Sequence, residues 1–193
     1  MFSACYGHLK FITVAVCLSG LLSCQALNVG SSGQSPEQKQ INKEAVANFE
    51  KSAGEILAKL PPSARIVVPE FEAHGVSLSP KFKVNSEQIK LNADQIRDRV
   101  GQYLVKQGVQ VVNRAVFKHA EQEIVLSQTG VTDSETSIKV GKAAGATHVV
   151  LGKYESTIQK DVIRVTTTVK VVDTESHLLL GVAILRQTLP PPH

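Results

Sequence analysis

The chain reads as an α/β domain: a mixed β-sheet of about five strands with helices packed mainly on one face, in the order α-β-α-β-α-α-β-β-β. Three observations predict it. Val46, Phe49, Ala53, Ile56 and Leu60 recur at steps of three and four, which makes the apolar stripe of a helix. Ile163, Val165, Thr167, Val169 and Val171 alternate with Arg164, Thr166, Thr168 and Lys170, the period of a strand with one buried and one wet face. Two short apolar runs, Arg65 to Phe71 and Val109 to Asn113, are separated by helical segments, as α/β units require.

The first helix should open at Ser35-Pro36-Glu37-Gln38. Ser35 can cap, Pro36 suits the first helical position and Gln38 can close a capping box. Pro61-Pro62 ends it. The strand over Arg65–Phe71 contains Pro69, which cannot donate to a ladder. That strand belongs near a sheet edge or is irregular there. Residues 72–91 read as a long loop with a possible short extra strand. A second helix should start at Asn92, with Gln95 at the capping-box position and Leu91 stapled onto Ile96. Ile96, Val100, Tyr103 and Leu104 form its buried face, and Gly108 stops it.

Val109–Asn113 is apolar enough to be a central strand. A third helix covers Ala115 to Ser127. A fourth, capped by Thr132 or Asp133, reaches Ala144 and ends at Gly145. Three long strands follow over Thr147–Thr157, Val162–Val172 and Leu178–Thr188. Gln159-Lys160-Asp161 and Asp173 to His177 form their turns.

The N-terminus carries a different kind of signal. Residues 1–10 hold one basic side chain, Lys10, and no acid, and Phe11 to Leu22 is nearly unbroken apolar sequence. A helix of that length spans ~18 Å, too short for a hydrocarbon core of ~30 Å, so a secretory leader fits better than a spanning helix. It closes on Leu21-Leu22-Ser23-Cys24, which resembles a bacterial lipobox. The resemblance implies cleavage between Ser23 and Cys24, lipidation of Cys24, and an envelope protein. The rival reading is a leader cut at another small residue, with Cys24 incidental. Cys5 and Cys17 lie in the leader, so Cys24 would then be an unpaired thiol in an oxidising compartment. Gln25 follows the cysteine, where an aspartate would signal inner-membrane retention. Its identity implies anchorage in the cell outer membrane by acyl chains, with the domain facing the periplasm. The organisation is then 1–23 lipoprotein signal peptide, 24–40 tether and 41–190 domain. Residues 25–34 carry the glycines and serines of a flexible linker.

Composition excludes several classes. The full chain has net charge +4 and no tryptophan, which gives little ground for nucleic acid or for a stacking surface. His74, His119, His148, His177 and His193 never stand at helical metal-ligand spacing, so no metal or cofactor is expected. Gly141-Lys142-Ala143-Ala144-Gly145 lacks P-loop spacing, and close helix–strand packing explains it better. No nucleophile elbow or acid–base constellation appears, so no catalytic residue and no enzyme is expected. Arg114 leaves a strand and enters a helix that carries Glu123. Pairing between them is favoured over an anion or partner contact. The strands over Thr147–Val172 alternate, but Tyr154 is their only aromatic. Membrane-crossing hairpins with aromatic girdles are therefore not indicated.

One pattern resembles a known family. Val111-Val112-Asn113-Arg114, Glu123, Leu126 to Gly130, Asp133 and Val140 to Ala146 are similar to the FlgO-domain family of outer-membrane proteins, related to CsgG-type envelope lipoproteins. Gly152, Val169 to Glu175, Gly181 and Leu189-Pro190 extend the likeness over about residues 45–190. It departs from that family at residues 72–91. The resemblance implies a non-enzymatic accessory lipoprotein that binds envelope components in flagellar or other surface-structure assembly. Relatives also serve as secretion-channel subunits and as cell-wall synthase activators. Arg114, Glu123, Gly130 and Asp133 are then the structural or partner candidates. The implied partners are the flagellar, secretion or cell-wall machinery, with a homo-oligomer possible.

Overall fold

The computed structural model describes residues 35–79, 83–127, 134–159 and 162–190. Helix α1 (Pro36–Leu57) begins where the capping signal placed it, with the Ser35 side chain accepting from the Gln38 N–H at 3.1 Å. The last residues of the stretch read as tether are therefore helical. Phe49 and Ile56 of its apolar stripe are buried, and Val46, Leu57 and Leu60 pack beside them.

Strand β1 (Arg65–Val67) ends before Pro69. The irregularity expected of this strand lies there, but the strand itself is interior, between β3 and β4. The chain steps sideways and resumes as β2 (Glu72–Ser77), the extra strand that residues 72–91 allowed for. Both run parallel to β4 (His148–Gln159), β1 along its start and β2 along its far half. Phe71 lies between them and packs over Gly152, where a Cβ would stand 2.2 Å from the ring.

Helix α2 (Ser86–Lys106) starts earlier than expected. Its N-cap is Asn85, whose side chain accepts from Glu87 and Gln88 N–H at 3.0 and 3.1 Å. Asn85 with Gln88 carries the same signature as Asn92 with Gln95, seven residues sooner. Asn92 instead lies inside the helix, accepting from Gln88 and donating to the Tyr154 hydroxyl at 3.4 Å. Leu91 is exposed rather than stapled. Ile89, Ala93 and Leu104 are buried, and Gly108 closes the helix at φ +78°.

Strand β3 (Gln110–Val111) pairs only with β1 and forms one edge of the sheet, not its centre. Its apolarity has another cause. Val111 packs against one core while Val112 packs into the other, so the segment is sandwiched between helical layers. Helices α3 (Arg114–Ser127) and α4 (Ser134–Ala143) follow as expected. Gly141 lets α4 settle on the sheet, since a Cβ there would meet Val149 at 2.4 Å. Gly145, at φ +76°, ends the turn. The cap expected at Thr132 or Asp133 lies outside the described residues.

Strands β4, β5 (Val162–Asp173) and β6 (Leu179–Leu189) form an antiparallel meander, with a bulge between Val171 and Val172. The order is β3-β1-β4-β5-β6, with β2 on the flank of β4. One face is covered by the two long helices, α1 over β6 and α2 over β2 and β4. Its core includes Phe49, Ile66, Phe71, Leu104, Tyr154, Val165 and Leu185. Helices α3 and α4 cover only one end of the opposite face, where Val67, Val112, Phe117, Val140 and Val149 meet.

Edge strand β6 is sealed from the α1 side. Asn42, 2% exposed, donates to the Thr188 carbonyl at 2.9 Å and accepts from its N–H at 3.1 Å. Lys59 donates to the Leu180 carbonyl at 3.3 Å. These bonds occupy backbone groups that an unpaired edge would otherwise offer to another chain.

Candidate functional site

Of the candidate site residues singled out from the sequence, only Arg114 has its side chain among the described residues. Ser23, Cys24, Gly130 and Asp133 lie outside the described residues, as does the side chain of Glu123. Arg114 is the first residue of α3, where the Asn113 side chain accepts from the Ala115 N–H at 2.8 Å. Its guanidinium reaches Glu70, at 3.1 Å, on the loop between β1 and β2. Both side chains are about half exposed, so the pair is a surface clasp worth at most ~1 kcal/mol.

The buried polar groups are structural. Arg97, 4% exposed, donates to Asp94 at 2.8 Å and to Asp98 at 2.7 Å, both on its own helix. His148 is buried. Its Nδ1 lies 2.8 Å from the Thr147 hydroxyl and its Nε2 3.6 Å from Asp173. Burial pulls its pKa down and the Asp173 charge opposes this. Asp173 accepts from Ser176 N–H at 2.7 Å, which chiefly holds its carboxyl below the usual range. Ser176 Oγ and the Glu175 N–H also donate to it, and His177 follows at φ +60°. These bonds build the β5–β6 turn.

A groove of about 300 Å³ beside edge strand β3 is lined by Arg65, Val111, Asn113 and Val116 among others. Arg65 is its one charged group, so it holds no acid–base pair. Among the described residues, no three His, Cys, Asp or Glu side chains gather as a metal site, and no helix is long and apolar enough to cross a membrane.

The surface left by the fold is the open face of the sheet, beyond the end that α3 and α4 cover. Cross-strand register defines its rows. Leu151, Lys170 and Val182 stand side by side on β4, β5 and β6. Glu72, Lys153, Thr168 and Ile184 form the next row, and His74, Glu155, Thr166 and Arg186 the one after. Val76, Thr157, Arg164 and Thr188 form the last.

The two halves of this face differ in charge. On β2 and β4 the acids are engaged: Glu155 holds Lys153 at 2.8 Å, and Glu72 lies 3.7 Å from His74. The hydrogen bond to Glu155 raises the Lys153 pKa. On β5 and β6, Arg164, Lys170 and Arg186 are exposed, with no acid in their rows on those two strands. Among the described residues they make no ion pair. Val182 and Ile184 stand between them, 37% and 40% exposed. The sequence alternation of β5 marks this side only as wet. The signal in the sequence is the common sign of Arg164, Lys170 and Arg186; their grouping on one face needs the strand register.

The sequence model of the family described as peptidoglycan-synthase activator LpoB matches residues 70–180. This overturns the resemblance to the FlgO-domain family and leaves the flagellar role it implied without support. Several residues that carried that resemblance have architectural tasks here. Asn113 caps α3, Gly141 seats α4 and Gly145 turns the chain into β4. Among curated proteins, no sequence matches the chain. Similar solved structures include the LpoB C-terminal domain from Salmonella enterica, 9% identical, with a TM-score of 0.48, covering 76% of this chain and 98% of that one. The Escherichia coli LpoB C-terminal domain is 11% identical, with a TM-score of 0.47, covering 74% of this chain and 96% of that one. Lipoprotein GNA1162 from Neisseria meningitidis is 18% identical, with a TM-score of 0.41, covering 65% of this chain and 83% of that one.

Proposed function

We propose that this chain, which belongs to the LpoB family of peptidoglycan-synthase activators, is a non-enzymatic lipoprotein that binds and activates a peptidoglycan synthase. The observation that carries the reading is the family match over residues 70–180, a segment running from the loop before β2 into β6. The fold agrees with a binding role. Its polar clusters brace helix α2 and the β5–β6 turn, while a broad sheet face is left uncovered.

In this reading the protein works from the outer membrane. Cys24 carries the acyl chains, and residues 25–34 link them to α1. Fully extended, that link would reach about 30 Å at ~3.3 Å per residue. Two or more acyl chains hold such an anchor firmly, at ~0.8 kcal/mol per buried methylene.

The test is reconstitution. Purified protein without its leader, titrated into the synthase of the same organism, should raise the rate of glycan polymerisation or peptide cross-linking to a plateau. Cys24→Ser should leave that activity intact in solution and remove the protein from the outer-membrane fraction of cells. Synthase rates unchanged at saturating protein would refute the activator reading. Outer-membrane fractionation of Cys24→Ser at its original size would refute the anchor.

A further inference from the structure

We infer that the synthase docks on the β5–β6 half of the open sheet face, through a surface of its own that is acidic around an apolar centre. The inference rests on the activator reading and adds where contact occurs and what chemistry the partner brings.

Three features select this half. The first is charge. Arg164, Lys170 and Arg186 are exposed and have no acid in their rows on these strands, whereas on the adjoining β2–β4 half Glu155 holds Lys153 and the charge of Glu72 also acts on that lysine. Unpaired like charges on one flat surface repel one another, and an acidic surface would relieve that repulsion. Such complementarity speeds encounter and rejects wrong partners. The second is apolarity. Val182 and Ile184 lie within the cationic frame, and Leu179, 52% exposed, extends the row past the bulge. An apolar centre with a charged rim is the anatomy of a protein interface. The third is rigidity. Each of these side chains stands on a strand whose other face is packed in the main core, so the surface needs little ordering on binding.

A membrane surface could also attract the cations. The shape argues for protein. No Phe, Tyr or Trp stands on the outward positions of β5 or β6, so the face lacks the aromatic anchors that interfacial membrane-binding segments use.

The experiment measures affinity for the purified synthase at several salt concentrations. It compares wild type, the triple variant Arg164→Glu/Lys170→Glu/Arg186→Glu, Ile184→Asp, and the control Lys43→Glu/Lys51→Glu/Lys90→Glu. The control makes the same charge change on exposed positions of α1 and α2. Both face variants should bind at least tenfold more weakly, the control within threefold of wild type. The salt dependence of the triple variant should flatten. A photo-crosslinker at position 184 should capture the purified synthase, and one at position 51 should not. This arm needs no charge change and stands if the triple variant fails to fold.

Face variants that bind like wild type, or capture from position 51 alone, overturn the docking face and leave the activator reading intact. Wild type that does not bind the synthase removes that reading, and the inference with it. A parallel arm uses vesicles containing phosphatidylglycerol. Loss of vesicle binding in the face variants with undiminished synthase affinity would make this a lipid surface and overturn the inference.

Discussion

Two neighbouring rows across the same three strands show how differently the two faces of the sheet are built. Tyr154, Thr167 and Leu185 form one row, and all are buried, at 1%, 1% and 7% exposure. One residue along, Glu155, Thr166 and Arg186 form a row that nothing covers at Arg186. Side chains alternate along a strand, so adjacent residues can serve stability and recognition separately. Substitutions on the inner rows should change stability, and those on the outer rows should change binding.

Phe71→Ala breaks the inner side most severely. The ring lies over Gly152, inside the main core, and its removal leaves a cavity where no side chain from the strand can follow. We expect a loss of ~3–5 kcal/mol by urea denaturation. Asn42→Ala should cost ~1–3 kcal/mol, because the Thr188 N–H and carbonyl lose their partners beneath α1. Hydrogen exchange should then accelerate first at the end of β6.

Thr167→Val works in the opposite direction. The hydroxyl of Thr167 is buried with no hydrogen-bond partner among the described residues, so replacing it with a methyl should stabilise by ~1 kcal/mol. A lower midpoint than wild type would mean that the hydroxyl has a partner after all.

The pH response isolates a corner of the sheet. His148 has a folded pKa below its ordinary value, chiefly through burial. The folded state therefore favours the neutral ring. The stability this contributes is present above the unfolded pKa of ~6.5 and is lost as pH falls through the lowered folded value. Thermal melts of wild type should drop on acidification through this range, and His148→Gln should flatten that drop. Asp173, also lowered, contributes stability that is lost only at more acidic pH, through the carboxylate range.

Much of the fold was legible because its signals are periodic or steric. The alternation from Ile163 to Val171 marked the buried side of β5 correctly, and Gly108 and Gly145 stood where positive φ was needed. Strand β2 was harder to see. Its inward residues are Ala73, Gly75 and Ser77, and Gly75 must be small because Ile89 of α2 presses onto it. A strand that buries backbone instead of large side chains shows no apolar alternation. The start of α2 was misplaced because two asparagines offer the same cap, and the added first turn is packed by contacts distant in sequence, such as Ile89 on Gly75. Asn42 was invisible for a related reason, since its bonds are to Thr188. The open face was legible only as polar. Its charge asymmetry depends on register between strands, which only the folded pairing supplies.

The contrast between the faces can be read in one measurement: methyl-labelled spectra of the domain titrated with the purified synthase. The account predicts that the methyl signals of Val182 and Ile184 shift, while those of Val165, Val169 and Leu185 on the inner face stay in place. Shifts confined to the inner core and the α1–α2 side, with Val182 and Ile184 unmoved, would contradict it.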